Sequence, residues 1–368
     1  MSERFSVAGR VTSGLSCARP VGFTVESMRP KQAIELIEKF PSATVLVFGD
    51  VMLDSDVECS ALGVANEAPI PLLEVLHETP RLGGAANVAK NLARLGVRTH
   101  LIGATGPDHP AEIMKGLLAE AGISFHPILS DRLTTRKSRI RSGSHYYLRI
   151  DEEDSSTLAD ESLTTLIAML ESWTVDVSTV IVSDYDKGMI SATSAAAIES
   201  LARRRHVKII ADLKPRNVAY WHDLALITPN LEEAKILYKL RSRTERDAPD
   251  NSELARNLSE TLGCDVVLKL ADQGLLTFSR AGQTSQWTAL CQSPRNVAGA
   301  GDTVLATLGA ALATNGAGLE DCAYLANVAA AVAISQPGPH AVSSGELAQY
   351  LSSVPQDDAA LVGDDKTI

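Results

Sequence analysis

The sequence predicts an α/β protein with a doubly wound, mostly parallel central sheet that is flanked by helices and accompanied by a second, small β-sheet. From about residue 30 onward, short continuous apolar runs suited to buried strands alternate with segments of helical spacing. Aromatic residues make up only 4% of the 368 residues, so the core must be built mainly from Leu, Ile, Val and Ala. That composition is typical of parallel strands covered by helices on both faces.

The alternation assigns the segments to strands and helices in chain order. An amphipathic helix is expected over 30–40, followed by a buried strand over 43–48. A helix over 85–95 is expected to end at Gly96, because glycine commonly follows the end of a helix. Later strands are expected near 97–102, 178–183, 207–211, 223–227 and 265–269. Later helices are expected near 110–121, 160–173, 191–204, 231–239, 252–262, 302–315, 318–335 and 345–352.

Two segments depart from this alternation and predict the small sheet. Residues 69–75 and 136–150 alternate apolar and polar side chains, as half-exposed strands do, and a hairpin turn is expected at Ser142-Gly143-Ser144. We expect these segments, within about 55–75 and 134–151, to form a lid over a site. Two ordinary edge hairpins are the alternative.

Charge and composition limit the functions open to the chain. The formal net charge is −11 and no dense Lys/Arg stripe is present, which argues against nucleic-acid binding. No apolar run reaches the roughly 18 residues of a membrane span, so no membrane partner is expected. The five cysteines are scattered without metal-binding spacing, which is typical of the reduced thiols of cytoplasmic proteins.

Both ends of the chain are predicted to be disordered. Residues 1–29 carry several Arg and Ser but lack the apolar core of a signal peptide, and a transit-like peptide is the alternative there. Residues 353–368 are polar and short of large apolar side chains. One folded domain is therefore expected over 30–352.

The sharpest local signal is Gly299-Ala300-Gly301-Asp302, which leads directly into an apolar helix. Glycines at a helix start let backbone N–H groups converge on an anion, and the helix dipole adds partial positive charge there. Asp302 would lie beside that anion and accept a proton from an attacking hydroxyl, which fits phosphoryl transfer. An ordinary helix cap is the alternative. The sequence has neither a P-loop pattern nor a G-x-G-x-x-G after a strand, so those two nucleotide sites are not expected.

Two further segments place candidate ligands at the ends of strands and helices. Gly83 and Gly84 open a helix in which Asn87 can bind a hydroxyl, and close helix packing is the alternative. Asp50 and Asp54 follow the first buried strand, where ligands bind in open α/β sheets. Two carboxylates there suit sugar hydroxyls, and ordinary turn chemistry is the alternative.

These three segments, in this order, resemble the ribokinase-like (PfkB) carbohydrate kinases over roughly residues 43–350. Within the family, the chain is most similar to the kinases of heptose 7-phosphates. The segments that carry this similarity are GDVMLD (49–54), EAPIP (67–71), LGGAANVAKNLARLG (82–96), SDYDKG (183–188), TPNLEEA (228–234) and GAGDTV (299–304). The resemblance implies a ribokinase-like fold and the phosphorylation of a sugar phosphate by ATP with Mg²⁺. The implied substrate is D-glycero-β-D-manno-heptose 7-phosphate, for ADP-heptose and lipopolysaccharide synthesis, and the implied assembly is a cytoplasmic homodimer.

The resemblance also implies a role for each matching residue. Asp302 is the implied catalytic base, and Gly299, Ala300 and Gly301 are the implied anion hole. Glu233 is implied to organise Mg²⁺ through water, since Mg²⁺ keeps much of its hydration. The implied sugar ligands are Asp54, Gly83, Gly84 and Asn87. The candidates for the substrate's phosphate are Lys137, Arg139, Arg149 and Lys187, each with a solvated surface charge as the alternative. The implied nucleotide contacts are Lys214, Asn230, Glu233, Lys269, Asp272, Gly274 and Asn327.

Several positions depart from the family's pattern. Residues 63–66 lack a usual arginine, and residues 145–146 read His-Tyr where a Gln pair is usual. Asn296 and Ala298 replace an Asp and a Thr that are associated with a monovalent cation, which weakens the case for K⁺ activation. Lys269, in place of a Thr, would bring a positive charge of its own to the nucleotide. These changes leave open another sugar or nucleoside kinase of this fold and, as a third hypothesis, a non-catalytic ligand-binding protein.

Overall fold

The computed structural model describes residues 30–242, 250–291, 293–314 and 316–353. The disordered ends predicted for 1–29 and for the tail lie outside these residues, apart from Ser353, which ends the last helix. Among the helices in the described ranges, none combines the length and the apolar character that crossing a bilayer requires.

The described residues form two β-sheets and a set of helices. The strands are β1 (Thr44–Gly49), β2 (Val51–Val64), β3 (Pro71–Gly84), β4 (Arg98–Thr105), β5 (Ser124–Leu129), β6 (Arg136–Ser142), β7 (His145–Glu152), β8 (Thr179–Ser183), β9 (Lys208–Asp212), β10 (Leu226–Ile227), β11 (Asp265–Lys269), β12 (Leu275–Phe278) and β13 (Thr284–Trp287). The helices are α1 (Pro30–Ile37), α2 (Ala85–Arg94), α3 (His109–Glu120), α4 (Asp160–Glu171), α5 (Ala192–Arg205), α6 (Leu231–Ser242), α7 (Asn251–Leu262), α8 (Ala300–Ala313), α9 (Leu319–Ile334) and α10 (Ser344–Ser353). The large sheet has the order β13-β12-β11-β10-β9-β8-β1-β4-β5, and the small sheet has the order β3-β2-β6-β7.

The large sheet is parallel except at one edge, where β12 and β13 run antiparallel. Its central strand β1 is buried along its whole length. Val45 and Val47 pack into one core layer with α1, α2, α3, α8, α9 and α10, whereas Leu46 and Phe48 pack into the other layer with α4, α5, α6 and α7. Helices therefore cover both faces, which confirms the predicted doubly wound α/β fold.

The pattern-based prediction misses the edges of the large sheet. It includes neither β5 at one edge nor the four-residue strands β12 and β13 at the other, which are too short for an apolar run to stand out. β5 contains Pro127, and an edge strand tolerates proline because one side of its backbone needs no ladder partner. The strand expected over 223–227 is shorter in the structure, because β10 comprises only Leu226 and Ile227. Pro229 follows shortly after, and a proline has no N–H to donate to the strand ladder.

The small sheet extends directly from the large one. β2 starts at Val51, just after β1 ends at Gly49, and pairs along its 14 residues with the 14 residues of β3. Buried and partly exposed residues alternate in β2 from Leu53 to Cys59. β2 and β3 together extend beyond the predicted range of about 55–75 at both ends. The β6–β7 hairpin turns at Gly143, whose φ is 57°, at the predicted position.

The two faces of the small sheet differ in polarity. The strand register aligns Asp54 with Lys137 and Lys137 with Asp151, so one face carries charges across three strands. On the other face, Ile140 lies opposite Leu148, which is 49% exposed. The small sheet therefore has a charged face and a partly exposed apolar face.

Candidate active site

The catalytic candidate Asp302 lies in the first turn of α8. Gly299 is the N-cap of this helix, with a left-handed φ of 81°, and it contributes no side-chain cap. Asp302 is buried. Asn87 Nδ2 donates a hydrogen bond to Asp302 Oδ2 over 2.6 Å, and the Tyr185 hydroxyl donates to Oδ1 over 2.6 Å. The carboxylate is therefore held by α2 on one side and by the segment after β8 on the other.

The surroundings of Asp302 suit a general base. Burial raises the pKa of Asp302 to about 6, although the hydrogen bonds from Tyr185 and Asn87 act in the opposite direction. The carboxyl group is therefore mostly ionised at neutral pH and has a pKa near the pH at which it would accept a proton. Burial and the neighbouring Asp302 raise the pKa of Tyr185 well above its ordinary value, so its hydroxyl remains a donor.

The helix start beside Asp302 suits an anion. The first N–H groups of a helix have no acceptor within the helix, and here the N-cap side chain supplies none. A Cβ atom at Gly301 would lie 3.6 Å from Lys269 Nζ, so the glycine keeps the space between the backbone and that ammonium group open. The Ala300 N–H donates to the Val297 carbonyl oxygen over 3.3 Å, but no side chain caps the helix. A helix start without a side-chain cap, a glycine at 301 and a nearby cation together fit the phosphates of a nucleotide.

Two lysines near this helix start are held in ion pairs. Lys269 Nζ, at the end of β11, lies 2.6 Å from Oδ2 of Asp212, which ends β9. Lys214 Nζ lies 2.6 Å from Glu233 Oε1 in α6 and 5.9 Å from the centroid of the Tyr185 ring. The ends of β9 and β11 are separated only by β10, so the structure brings both predicted nucleotide lysines to one edge of the sheet.

Asn230 and Glu233 form a reciprocal cap at the start of α6. The Glu233 N–H donates to Asn230 Oδ1 over 2.9 Å, and the Asn230 N–H donates to Glu233 Oε2 over 3.0 Å. Burial tends to raise the pKa of Glu233, but the hydrogen bonds from Lys214 and from the Asn230 N–H outweigh it and lower the pKa below its ordinary value. Glu233 is therefore an ionised carboxylate with one oxygen on the cap and the other on the lysine.

The carboxylates near the helix start fit only a loosely held metal. Within the described ranges, no group of three or more His, Cys, Asp and Glu side chains could hold an ion. Glu233 and Asp212 are each paired with a lysine. Because Mg²⁺ keeps several waters and binds through few carboxylates together with phosphates, these residues fit an ion that arrives with the nucleotide and contacts Glu233 through water.

Gly83 and Gly84 are glycines because the chain packs closely at this point. A Cβ atom at Gly84, whose φ is 56°, would lie 2.4 Å from the Asp50 carbonyl oxygen. A Cβ atom at Gly83 would lie 2.7 Å from Asp54 Oδ2. Asp54 Oδ1 in turn accepts a hydrogen bond from Arg139 Nη1 over 2.9 Å. Asp54 and Arg139 therefore form an ion pair on the charged face of the small sheet, beside the glycine pair.

Asp50 has a different role from Asp54. The Asp50 carboxylate is buried and accepts the backbone N–H groups of Tyr185 at 2.8 Å, Lys187 at 3.1 Å and Met189 at 3.0 Å. The prediction that two carboxylates in this segment suit sugar hydroxyls is therefore wrong for Asp50, because the backbone occupies its acceptor positions.

The cations predicted to bind the substrate's phosphate are paired with carboxylates. Lys137 Nζ lies 2.9 Å from Glu153 Oε2, and Lys187 Nζ lies 2.6 Å from Glu153 Oε1. Arg149, which is 59% exposed, pairs with Asp151, and Asp151 also lies 3.2 Å from Lys137 Nζ. Two of the predicted lysines therefore converge on a single carboxylate.

The remaining predicted nucleotide residues lie around the β11–β12 connection. Asp272 lies in a 3-10 turn between these strands. A Cβ atom at Gly274, whose φ is 88°, would lie 2.0 Å from the Trp287 carbonyl oxygen, so packing against β13 requires a glycine there. Asn327 is buried in α9 and donates to the Thr288 carbonyl oxygen over 2.8 Å. Gly274 and Asn327 thus make structural contacts in this part of the protein.

Two residues of the site were not among the predicted ones. Asp212 immediately follows the apolar run at 207–211. Asp50 became a candidate because it lies just beyond the first buried strand, so applying the same rule to every buried strand would have found Asp212. Tyr185 lies within SDYDKG (183–188), which contributed only to the resemblance. No spacing rule links that segment to Asp302.

Comparison with known proteins places this site in a family. Residues 42–344 match the family described as pfkB family carbohydrate kinase. The Bifunctional protein HldE of Geobacter sulfurreducens is 33% identical over 326 residues, which cover 87% of this chain and 65% of the relative. The protein of that name from Caulobacter vibrioides is 34% identical over 316 residues, which cover 85% of this chain and 64% of the relative. The chain therefore spans slightly less than two thirds of the length of these relatives.

Solved kinases share the fold. Phosphofructokinase-2 from Escherichia coli, in complex with substrates and products, has a TM-score of 0.69 and 18% identity, covering 84% of this chain and 98% of that chain. Ribokinase from Arabidopsis thaliana, complexed with ribose and ATP, has a TM-score of 0.63 and 17% identity, covering 85% of this chain and 99% of that chain. These likenesses confirm the predicted ribokinase-like fold. Because the family match extends over most of the chain, the protein belongs to the pfkB family of ATP-dependent carbohydrate kinases.

Proposed function

We propose that the chain transfers the γ-phosphoryl group of ATP to the anomeric hydroxyl of a sugar phosphate, and that this sugar is D-glycero-β-D-manno-heptose 7-phosphate. The observation that carries the proposal is the buried Asp302 carboxylate at the start of α8, which has no side-chain cap and lies close to Lys269. The HldE relatives at about 33% identity and the heptose-kinase segments of the sequence support the choice of sugar. The product would serve ADP-heptose and lipopolysaccharide synthesis in the cytoplasm, where ATP is available.

In this mechanism Asp302 acts as the general base. The proton of the sugar hydroxyl passes to the Asp302 carboxylate while the hydroxyl oxygen bonds to the γ-phosphorus. The bond from that phosphorus to the bridging oxygen of ATP breaks, and ADP leaves. The backbone N–H groups at the start of α8 and the Lys269 ammonium stabilise the charge on the transferred group. Mg²⁺ bound with ATP would neutralise further charge on the phosphates.

The paired lysines support a phosphorylated sugar. Lys137 and Lys187 lie at 2.9 and 2.6 Å from the two oxygens of Glu153, so their ammonium groups are separated by little more than one carboxylate. A phosphate has more negative charge and more acceptor oxygens than a carboxylate, and it can take the place of Glu153 between them. Arg139 and Asp54, on the same face of the small sheet, would bind the sugar between this cluster and Asp302.

A second candidate is a kinase of another sugar or of a nucleoside. The sequence departs from the heptose kinases at 63–66, which span the end of β2 and the turn after it, and at 145–146, which begin β7. Different contacts from the small sheet would change which sugar fits.

The experiment that tests the proposal is ADP release from Mg·ATP with a panel of acceptors. The panel contains D-glycero-β-D-manno-heptose 7-phosphate, ribose, fructose 6-phosphate and adenosine. Selective turnover of the heptose phosphate would support the proposal. Turnover of another acceptor would move the chain to the second candidate, and ADP release with none of them would contradict both.

The homodimer is also part of the proposal. On the apolar side of the small sheet, Leu148 and Ile150, two residues apart on the edge strand β7, are 49% and 48% exposed. At the opposite edge, Val75 of β3 is 62% exposed. Neighbouring exposed apolar residues such as Leu148 and Ile150 are typical of surfaces that bind another protein. One neighbour of the same fold, phosphofructokinase-2 from Escherichia coli, is described as tetrameric in its inhibited form, which supports assembly within this fold.

A further inference from the structure

We infer that Tyr185 is a positioning residue for the catalytic base: its hydroxyl holds the Asp302 carboxylate in the orientation from which it accepts the sugar proton. This inference rests on the proposed function, because it assigns a role to a contact with the proposed base. Tyr185 and Asn87 donate to opposite oxygens of the Asp302 carboxylate, each over 2.6 Å. Two short hydrogen bonds on opposite oxygens oppose rotation of the carboxylate, and each oxygen keeps acceptor capacity for the substrate.

The backbone around Tyr185 is fixed by buried carboxylates. Asp50 accepts the N–H of Tyr185 itself, together with those of residues 187 and 189. The next residue, Asp186, has a φ of 61°, a left-handed conformation that is uncommon for non-glycine residues. Its N–H donates to Asp184 Oδ1 over 2.8 Å, and Asn217 Nδ2 donates to the same carboxylate. The segment therefore has an imposed conformation, and it places the phenol on Asp302.

A second anchor holds the same segment from the other side. Arg132 Nη1 donates to the Lys187 carbonyl oxygen over 2.8 Å and also to the Ser156 carbonyl oxygen. A Cβ atom at Gly188, whose φ is 84°, would lie 2.4 Å from Arg132 Nη1, so the guanidinium packs directly on the backbone. With Asp50 on one side and Arg132 on the other, the backbone on both sides of Tyr185 is tied to the large sheet and to the chain leaving the small sheet.

The charges around the phenol keep it a donor. The carboxylates of Asp302, Asp212 and Asp54 all act on Tyr185 and, with burial, raise its pKa. Lys214 is the cation nearest its ring among the described contacts, at 5.9 Å from the centroid, and Lys269 acts on Asp302 from the other side. Over the pH range of the assay, in which Asp302 ionises, the phenol therefore stays protonated. Its hydrogen bond favours the ionised carboxylate, so its removal raises the pKa of Asp302.

The test is the pH profile of Tyr185→Phe, which removes a single oxygen atom. Loss of a hydrogen bond to an ionised group changes an equilibrium or rate constant by a factor of roughly ten to a hundred. We expect the plateau kcat to fall about tenfold from lost orientation, and the acidic limb of kcat to move up by about one pH unit. KM for ATP and for the sugar should stay within about twofold, because neither substrate loses a direct contact. Tyr350→Phe, in α10, is the matched control and should leave kcat, its pH profile and both KM values unchanged.

The outcomes separate this inference from the proposed function. A Tyr185→Phe enzyme with the wild-type plateau and limb overturns the inference, and so does a raised sugar KM with unchanged kcat, which would make Tyr185 a substrate ligand. If Asp302→Asn is nearly inactive while Tyr185→Phe behaves as wild type, only the inference fails. If Asp302→Asn retains full activity, the proposed base itself is wrong. Melting temperatures within a few degrees of wild type show that each variant is folded.

Discussion

Lowering the pH from 7 to 5 is expected to reduce kcat about tenfold, because Asp302 accepts the sugar proton only when ionised. Burial raises the pKa of this residue from an ordinary 3.8 to about 6. With that pKa, about nine tenths of the enzyme has an ionised base at pH 7 and about one tenth at pH 5. An exposed aspartate would remain more than about nine tenths ionised at pH 5, and kcat would change by about a tenth or less. The two cases differ by nearly an order of magnitude in rate.

The assay is the initial rate of ADP release, measured by direct chromatography from pH 5 to pH 9 so that no coupling enzyme titrates. The substrate's phosphate also titrates near pH 6, so kcat at saturation of both substrates is compared with kcat/KM. kcat reports the pKa of Asp302 in the enzyme–substrate complex, where the negative charge of the bound phosphates acts to raise it, so the expected fall in kcat is about tenfold or more. Asp302→Asn provides the baseline, with a rate lower by about 10²–10⁴-fold and no acidic limb, while ATP binding persists. A wild-type kcat that stays flat to pH 5 would refute the assignment of the base.

Acid unfolding is the other process that could lower the rate at pH 5. Asp302 and Asp184 both have a pKa raised by burial to about 6, so protonation of either group favours the folded state, and their effect on stability becomes more favourable as the pH falls from 7. Glu153 and Glu233 have a pKa lowered below 4.5 by their lysine partners, so they remain ionised at pH 5 and their stabilisation is lost only at lower pH. His100 and His126 act in the opposite direction, because burial lowers their pKa and the unfolded chain takes up protons at these histidines between pH 7 and pH 5. The melting temperature is therefore measured at both pH values, and a fall in kcat at pH 5 counts as titration of Asp302 only if the enzyme is folded at the assay temperature.

Three further predictions follow from the contacts described above. Lys187→Met should raise KM for the sugar phosphate about tenfold or more and leave KM for ATP unchanged. Glu153→Gln should lower KM for the sugar phosphate, because it frees Lys137 and Lys187 to bind the phosphate. Equal changes in both KM values would contradict the assignment of these lysines to the sugar phosphate. Gly84→Ala should destabilise the protein by about 1–3 kcal/mol in thermal melts, whereas Gly116→Ala, with open space around its Cβ position, should be neutral or slightly stabilising. Leu148→Asp should convert a dimer to a monomer in light scattering after gel filtration, and an unchanged mass would remove the apolar face from the interface.

The sequence predicted much of the site because a parallel sheet collects the carboxyl ends of its strands along one edge. Asp54 was chosen because it follows a strand end, and Asn87 and Asp302 because they lie at helix starts, whereas Lys214 and Lys269 were implied by the family resemblance. The structure brings Asn87, Lys269 and Asp302 together for that topological reason. Residues at strand ends and helix starts can be predicted from the alternation of strands and helices, because their location in the fold depends mainly on the order of these elements.

The parts that the sequence did not predict depend on the path of loops and on strand register. Tyr185 reaches Asp302 from the loop after β8, where the next residue, Asp186, has a left-handed φ of 61° that no sequence pattern predicts. Asp50 was predicted to bind a sugar hydroxyl, but three backbone N–H groups of that loop donate to its carboxylate instead. The convergence of lysines on Glu153 depends on the register between β6 and β7, which apolar–polar alternation does not determine to one residue.

The direct passage from β1 into β2 has a mechanical consequence. Asp50 is the only residue between these strands, and its carboxylate is tied to three amides, so a rigid rotation of the small sheet would pivot near it. At about 3.3 Å per residue, the far end of β2 is up to roughly 45 Å from that pivot, whereas Asp54 is roughly 13 Å away. A rotation of about 5° would then move the far end by roughly 4 Å and Asp54 by roughly 1 Å. A second copy bound through Val75, which lies opposite Cys59 roughly 30 Å along β2, would therefore act on this rotation at more than twice the distance of Asp54 from the pivot, while Asp54 itself would hardly shift.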